Sequence, residues 1–140
     1  MANNPTGKEI PSIVAGMFYG EIMEDEVFPF PQFSESQKEM AKAMTDAINK
    51  FAETSIDAAK FDRDSKIPEE VLKGLGELGL CGMAVAEEYG GLGLDTSLYA
   101  RIFAEIAAID PSIGVTLGAH QSIGYKALLN EGNEEQKKKW

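Results

Sequence analysis

Residues 112–129 read SIGVTLGAHQSIGYKALL, apolar enough and long enough for a helix of about five turns. The stretch nevertheless carries Gly114, Gly118, Gly124 and the only histidine of the chain, His120. A glycine inside a helix costs about 1 kcal/mol relative to alanine, so either the stretch is not helical or the missing side chains make room for something. Its flanks favour the helix. Asp110-Pro111-Ser112 interrupts the preceding periodic run and puts a proline in a first helical turn, and Gly132 stands where a C′ glycine would close the helix. At 100° per residue Gly114, Gly118, Gln121 and Tyr125 fall along one side, with Val115, Ala119 and Ser122 beside them. Such a notched face admits either the backbone of a neighbouring helix or an elongated apolar ligand, and residue physics alone slightly favours the helix.

Working upstream, Leu98, Tyr99, Ile102, Phe103, Ile106 and Ala107 recur at three- and four-residue steps and predict a helix capped by Asp95 or Thr96. Arg101 and Glu105 form an i,i+4 pair on its outer side. Leu80–Leu94, LCGMAVAEEYGGLGL, has turn glycines and no helical period, and reads as a connector. YGGLG lacks the residues of either common phosphate-binding glycine pattern, so a phosphate cradle is disfavoured. Pro68-Glu69-Glu70 is a helix first turn, with Val71, Leu72, Leu75 and Leu78 as the buried face and Gly79 as the C′ residue. Ser34-x-x-Gln37 is a capping box, and Met40, Met44, Ala47, Ile48, Phe51 and Ala58 after it predict one helix running to FDRDSK at 61–66. Residues 1–33, including VFPFPQF at 27–33, are expected to be an extended lead. Downstream, Asn133-x-x-Gln136 opens a fifth helix that is either cut at Trp140 or completed by a partner, and the chain is expected to be an N-terminal piece of something larger.

The fold class is therefore all-α, a helical bundle over residues 34–140. Thirteen Lys and Arg against twenty-three Asp and Glu give a net charge of −10, with no basic stripe beyond Lys137–Lys139, which argues against nucleic acid. One cysteine, Cys81, has no partner for an internal disulfide and no companion at metal-ligand spacing. It reads as core packing in a reducing compartment, with no metal expected. MANNPTGKEI shows neither an apolar signal core nor arginines, and a cytoplasmic location is expected.

Candidate chemistry is sparse. A lone histidine such as His120 reads as a hydrogen-bonded packing residue, adjacent Glu87 and Glu88 read as solvated surface, and no spacing marks a nucleophile elbow or a two-histidine metal site.

The run from Glu87 to Trp140, EEYGGLGLDTSLYARIFAEIAAIDPSIGVTLGAHQSIGYKALLNEGNEEQKKKW, resembles the N-terminal helical domain of acyl-CoA dehydrogenases. With EVFPFP upstream it is most similar to the very-long-chain branch, and EYGGLG, GAHQSIG and GNEEQKKKW are the specific segments. The resemblance implies an FAD enzyme that oxidises long-chain acyl-CoA to trans-2-enoyl-CoA in fatty acid β-oxidation, using a glutamate base and a flavin hydride acceptor. It places that glutamate in a C-terminal helical domain and most flavin contacts in a middle β-domain, both absent here. No catalytic residue is therefore expected in this chain and no residue of it is assigned to the flavin; alone it should neither retain FAD nor be active. The positions lining the distal acyl pocket correspond to Val115, Ala119 and Ile123, with Gly114 and Gly118 adjacent. Bulkier polar residues close that region in medium-chain relatives, so the glycines are expected to leave length for a long acyl tail. The implied partners are a fatty acyl-CoA, electron-transfer flavoprotein or another acceptor, and further copies of the full-length chain. A different class of protein, a free-standing helical interaction or lipid-binding module without redox activity, is the alternative.

Overall fold

The computed structural model describes residues 12–30 and 32–139. The expectations for the opening ten residues, for Pro31 and for Trp140 lie outside them. The chain divides into two units that meet between Phe33 and Ser34.

The first unit is not extended throughout, as the sequence reading expects. Among its described residues are two short helices, α1 (Ile13–Phe18) and α2 (Glu24–Val27), the first capped by Ser12, whose Oγ accepts from the Ala15 N–H at 3.2 Å. A capping serine and three consecutive acids in the first turn of α2 are start signals that the apolar pattern of this segment hides. Extended chain begins at Phe28, whose ring meets that of Phe30 edge-on at 4.7 Å.

The second unit contains the remaining helices. α3 (Glu35–Ser55) starts at a complete capping box, with the Ser34 N–H donating to Gln37 Oε1 at 2.8 Å and the Gln37 N–H to Ser34 Oγ at 3.2 Å. It ends earlier than its apolar stripe predicts. Ile56 turns extended and Asp57 accepts from the Lys60 N–H to start α4 (Ala58–Asp64). The buried line of α3 is Ala41, Thr45 and Ile48 rather than the methionines, since Met40 is 48% exposed. Thr45 escapes an apolar count yet is buried at little cost, because its hydroxyl donates to the Lys42 carbonyl at 3.1 Å.

α5 (Glu69–Glu77) ends as its sequence predicts. Gly79 is left-handed, its N–H bonds the Gly76 carbonyl and the Leu80 N–H reaches back to the Leu75 carbonyl, a Schellman closure. Leu75 and Leu80 are both fully buried, whereas Leu72, expected inside, is 37% exposed. The connector from Leu80 includes one 3-10 turn at Glu87–Tyr89.

α6 (Thr96–Ile109) is the centre of the unit and packs against both α3 and α7 (Pro111–Ala119). Its Leu98, Ile102 and Ile106 join Ile48, Val71, Leu75, Met83, Ile113 and Leu117 in the core. Asn49 on α3 donates to Glu105 on α6 at 2.9 Å, and Arg101 pairs with the same carboxylate at 2.9 Å, as its spacing predicts. After α7 come a π-helical turn at His120–Gly124, α8 (Tyr125–Glu131) and α9 (Glu134–Lys139). The Asn133–Gln136 cap forms in both directions, at 3.0 and 2.9 Å. Gly132 is not left-handed as a C′ glycine would be; its Cβ would stand 2.4 Å from the Leu128 carbonyl oxygen, so close approach excludes a side chain there. No strand occurs among the described residues.

Candidate functional site

Asp110 ends α6 and begins α7. One of its carboxylate oxygens accepts from the N–H groups of Ser112 at 2.7 Å and Ile113 at 3.1 Å and also from the Ser112 hydroxyl. This cap, with Pro111 at the first helical position, sets the direction in which α7 leaves α6. Burial raises the Asp110 carboxyl, but these three hydrogen bonds outweigh it and hold the group below its ordinary value.

α7 has two unlike faces. Ile113, Gly114 and Leu117 are buried. A Cβ on Gly114 would lie 2.9 Å from the Cβ of Ala107 and 3.1 Å from its Cα, and one on Gly118 would lie 3.3 Å from the Phe103 ring. The space vacated by these two glycines is therefore filled by α6, and the expectation that they open a ligand notch is corrected: they let two helices approach. On the opposite side Val115 is 73% exposed, Ile123 is 84% exposed, and Ala119 between them is also exposed. The five residues picked from sequence thus divide into a packing pair, Gly114 and Gly118, and a bare apolar stripe, Val115, Ala119 and Ile123.

The π turn shapes that stripe. The Tyr125 N–H bonds the carbonyl of His120 five residues back, a wide turn of the kind often found at functional sites. An unbroken α-helix would carry Ile123 about 40° further round than Ala119; the extra residue in the turn reduces this drift, while Gln121 keeps to the inner side shared with Gly114 and Gly118. Gln121 is 4% exposed. Its Oε1 accepts from the Tyr125 hydroxyl at 3.2 Å, while its Nε2 has no protein partner. It lines a groove of about 600 Å³ with Leu94, Tyr99, Tyr125 and Leu129. The period places Gln121 on the inner side with Gly114 and Gly118, but nothing in it betrays the π turn.

His120 is exposed, with its ring edge-on to Tyr125 at 5.4 Å, so it is not the hydrogen-bonded packing residue expected. Glu87 and Glu88 are exposed, as read. Cys81 is half-buried, and burial pushes its thiol up. Among the described residues no group of three or more His, Cys, Asp or Glu is placed to hold a metal. In the YGGLG loop the N–H groups of Gly90, Gly91, Leu92, Gly93 and Leu94 all donate to carbonyls of the connector itself. A phosphate would find no free backbone donors there.

These features define a class: an all-α domain that, among the described residues, has no cluster placed to hold a metal and carries a bare apolar stripe along α7 and the π turn. The chain belongs to the acyl-CoA dehydrogenase N-terminal domain family, whose model matches residues 38–140. Its relatives in the very-long-chain branch include the "Very long-chain specific acyl-CoA dehydrogenase, mitochondrial" of Rattus norvegicus, 42% identical over 97% of this chain, and that of Homo sapiens, 39% identical over 97%. "Probable acyl-CoA dehydrogenase FadE10" of Mycobacterium tuberculosis is 33% identical over 96%. The chain spans about a fifth of the length of these relatives, 21% in each case. Among solved structures, a chain described under "Electron transferring flavoprotein of Acidaminococcus fermentans: Towards a mechanism of flavin-based electron bifurcation" superposes with a TM-score of 0.66 at 31% identity. That likeness covers 78% of this chain and 28% of the other. No helix among the described residues is long and apolar enough to cross a membrane.

Proposed function

We propose that this chain is the N-terminal helical domain, residues 34–140 with a short lead, of an FAD-dependent acyl-CoA dehydrogenase that oxidises long-chain fatty acyl-CoA to trans-2-enoyl-CoA. In this reading Val115, Ala119 and Ile123 form one wall of the acyl pocket, and Gly114 and Gly118 act behind them by seating α7 on α6. The observation that carries it is the exposure of the stripe: two large aliphatic side chains stand almost fully in solvent on a helix whose other face is tightly packed. The residues along that stripe are apolar and the middle one, Ala119, is small, which supports room for a long tail.

The YGGLG loop offers no phosphate cradle for FAD, because its N–H groups bond carbonyls of the connector itself. Flavin binding and the glutamate base are assigned to the middle β-domain and C-terminal helical domain that complete such an enzyme. The chain's own part is to bind the acyl tail and exclude water from it. Electron-transfer flavoprotein or a similar acceptor, and self-association into an oligomer, belong to the whole enzyme. The mammalian relatives are named as mitochondrial, which does not match the cytoplasmic location expected from the sequence; fractionation of the source cells decides the compartment.

The test is to read the gene beyond the Trp140 codon and assay the complete product. A flavin-coloured protein that reduces a dye acceptor with palmitoyl-CoA is the expected result. A complete product without flavin or acyl-CoA dehydrogenation would overturn the proposal in favour of a helical interaction module.

A further inference from the structure

The groove of about 600 Å³ that Gln121 lines shares no residue with the Val115, Ala119 and Ile123 stripe. Its walls come from the connector at Ala84 and Leu94, the start of α6 at Tyr99, and the π turn with α8, and its volume suits a small molecule. Several of its polar groups are already engaged. The Asp95 carboxylate accepts from the N–H groups of Ser97 at 2.9 Å and Leu98 at 3.0 Å and from Gln37 Nε2 at 2.6 Å. The Ser122 hydroxyl donates to the Gly118 carbonyl at 2.7 Å, and the Tyr125 hydroxyl donates to Gln121 Oε1. Left without a partner among the described residues are the Gln121 Nε2 donor, the Lys126 ammonium, and the Asn130 amide and Thr96 hydroxyl, each of which can donate.

Such a set fits a ligand rich in acceptors. An unpaired amide on a residue only 4% exposed is a cost that the packing of the domain does not explain, and the terminal torsion of glutamine is soft enough for the amide to meet an oxygen in the groove. Residues five apart across a π turn come near one another, which brings Lys126 toward Gln121. Lys126 is the one cation among the described lining residues and Asp95 the one carboxylate, so a single negative charge is matched and a phosphate-rich group is not. Leu94, Tyr99, Tyr125 and Leu129 supply apolar walls, two of them aromatic. We propose that this groove binds a small monocarboxylic acid with an apolar, ring-sized body, its acceptor-only carboxylate taking Gln121 Nε2 and Lys126. The site goes beyond the acyl-wall reading and does not depend on it.

The test is calorimetric titration of 3-phenylpropionate into the complete protein that carries this domain, beside the neutral 3-phenylpropanamide. One site per chain with a Kd of about 1 mM is expected for an acid of this size, and weaker binding for the amide. Gln121→Leu, which should not lower stability, is expected to weaken the acid by about 10-fold or more, through a lost hydrogen bond to a charged group. Lys126→Gln should weaken it by about 2- to 5-fold, as for an exposed ion pair. Ala119→Gln, on the stripe, should leave the titration unchanged. No saturable binding well above the expected Kd overturns the site. So does equal binding by the parent and Gln121→Leu, with melting temperatures showing that both are folded. Equal affinity for acid and amide overturns the assignment of a carboxylate, and a loss caused by Ala119→Gln alone moves the ligand to the stripe and overturns the groove.

Discussion

Gly114 of α7 sits so close to Ala107 of α6 that a Cβ built on the glycine would stand 2.9 Å from the alanine Cβ. Gly118, one turn on, faces only the end of the Phe103 ring, at 3.3 Å. The two glycines should therefore answer differently to the same substitution. At Gly114 the obstacle includes the α6 backbone at Ala107, so overpacking of about 1–3 kcal/mol exceeds the gain of about 1 kcal/mol in helix propensity. Gly114→Ala is expected to lower the melting temperature by a few degrees. At Gly118 a side chain can give way, and Gly118→Ala should be neutral or raise it. Equal losses at both positions would contradict the packing described.

Asp110 contributes charge as well as shape. Its carboxyl is held below the ordinary value although burial alone would raise it. A depressed pKa means that the stabilisation is complete above the unfolded value of about 3.9 and is lost as pH falls through the folded value. Asp110→Ala is expected to cost about 1–2 kcal/mol near neutral pH, as for other lost N-caps. The gap in melting temperature between parent and variant should close on acidification below about pH 4. A gap independent of pH to well below that point would show that the ionised cap is not the stabilising species.

Gln121 is a structural debit in the absence of a partner for its Nε2. An unpaired buried amide costs about 1–3 kcal/mol, whereas the bond it makes to Tyr125 is worth about 1 kcal/mol. Gln121→Leu should therefore leave stability unchanged or raise it by about 1 kcal/mol. A clear fall in melting temperature would mean that the amide is satisfied in solution.

Val115 and Ala119 are exposed, and substitutions there should change stability by no more than about 0.5 kcal/mol. In the complete enzyme, Val115→Gln and Ala119→Gln are expected to lower kcat/KM for long acyl-CoA by roughly 10- to 60-fold, through two or three excluded methylenes. Medium chains should lose far less. Activity that falls equally for all lengths, with the melting temperature, would reject the acyl wall.

The 140-residue chain by itself should be colourless after reconstitution with FAD, since its glycine loop offers no free donors. The bare stripe should bind a hydrophobic dye and drive self-association. Absorbance spectroscopy and sedimentation check both points, and a stoichiometric flavin spectrum would contradict the division of labour proposed.

What could be read from the chain in advance was local. The box at Ser34 and Gln37, the Asp95 and Asn133 caps, the proline start at Pro111 and the Gly79 closure each involve groups within a few residues of one another, so their hydrogen bonds follow from spacing alone. The family motifs were equally legible, because EYGGLG and GNEEQKKKW are contiguous. The choice of Ala41 and Thr45 over Met40 for the core depends on neighbours far along the chain, whereas the break at Ile56, marked by the local Asp57 cap, and the π turn at His120 are hidden by the apolar period. Above all, the glycine face of α7 had two readings with the same periodicity. Only the tertiary structure decided between them: α6 needs close approach on that side, its Ala107 fills the space, and the apolar side chains of Val115 and Ile123 are thereby turned outward.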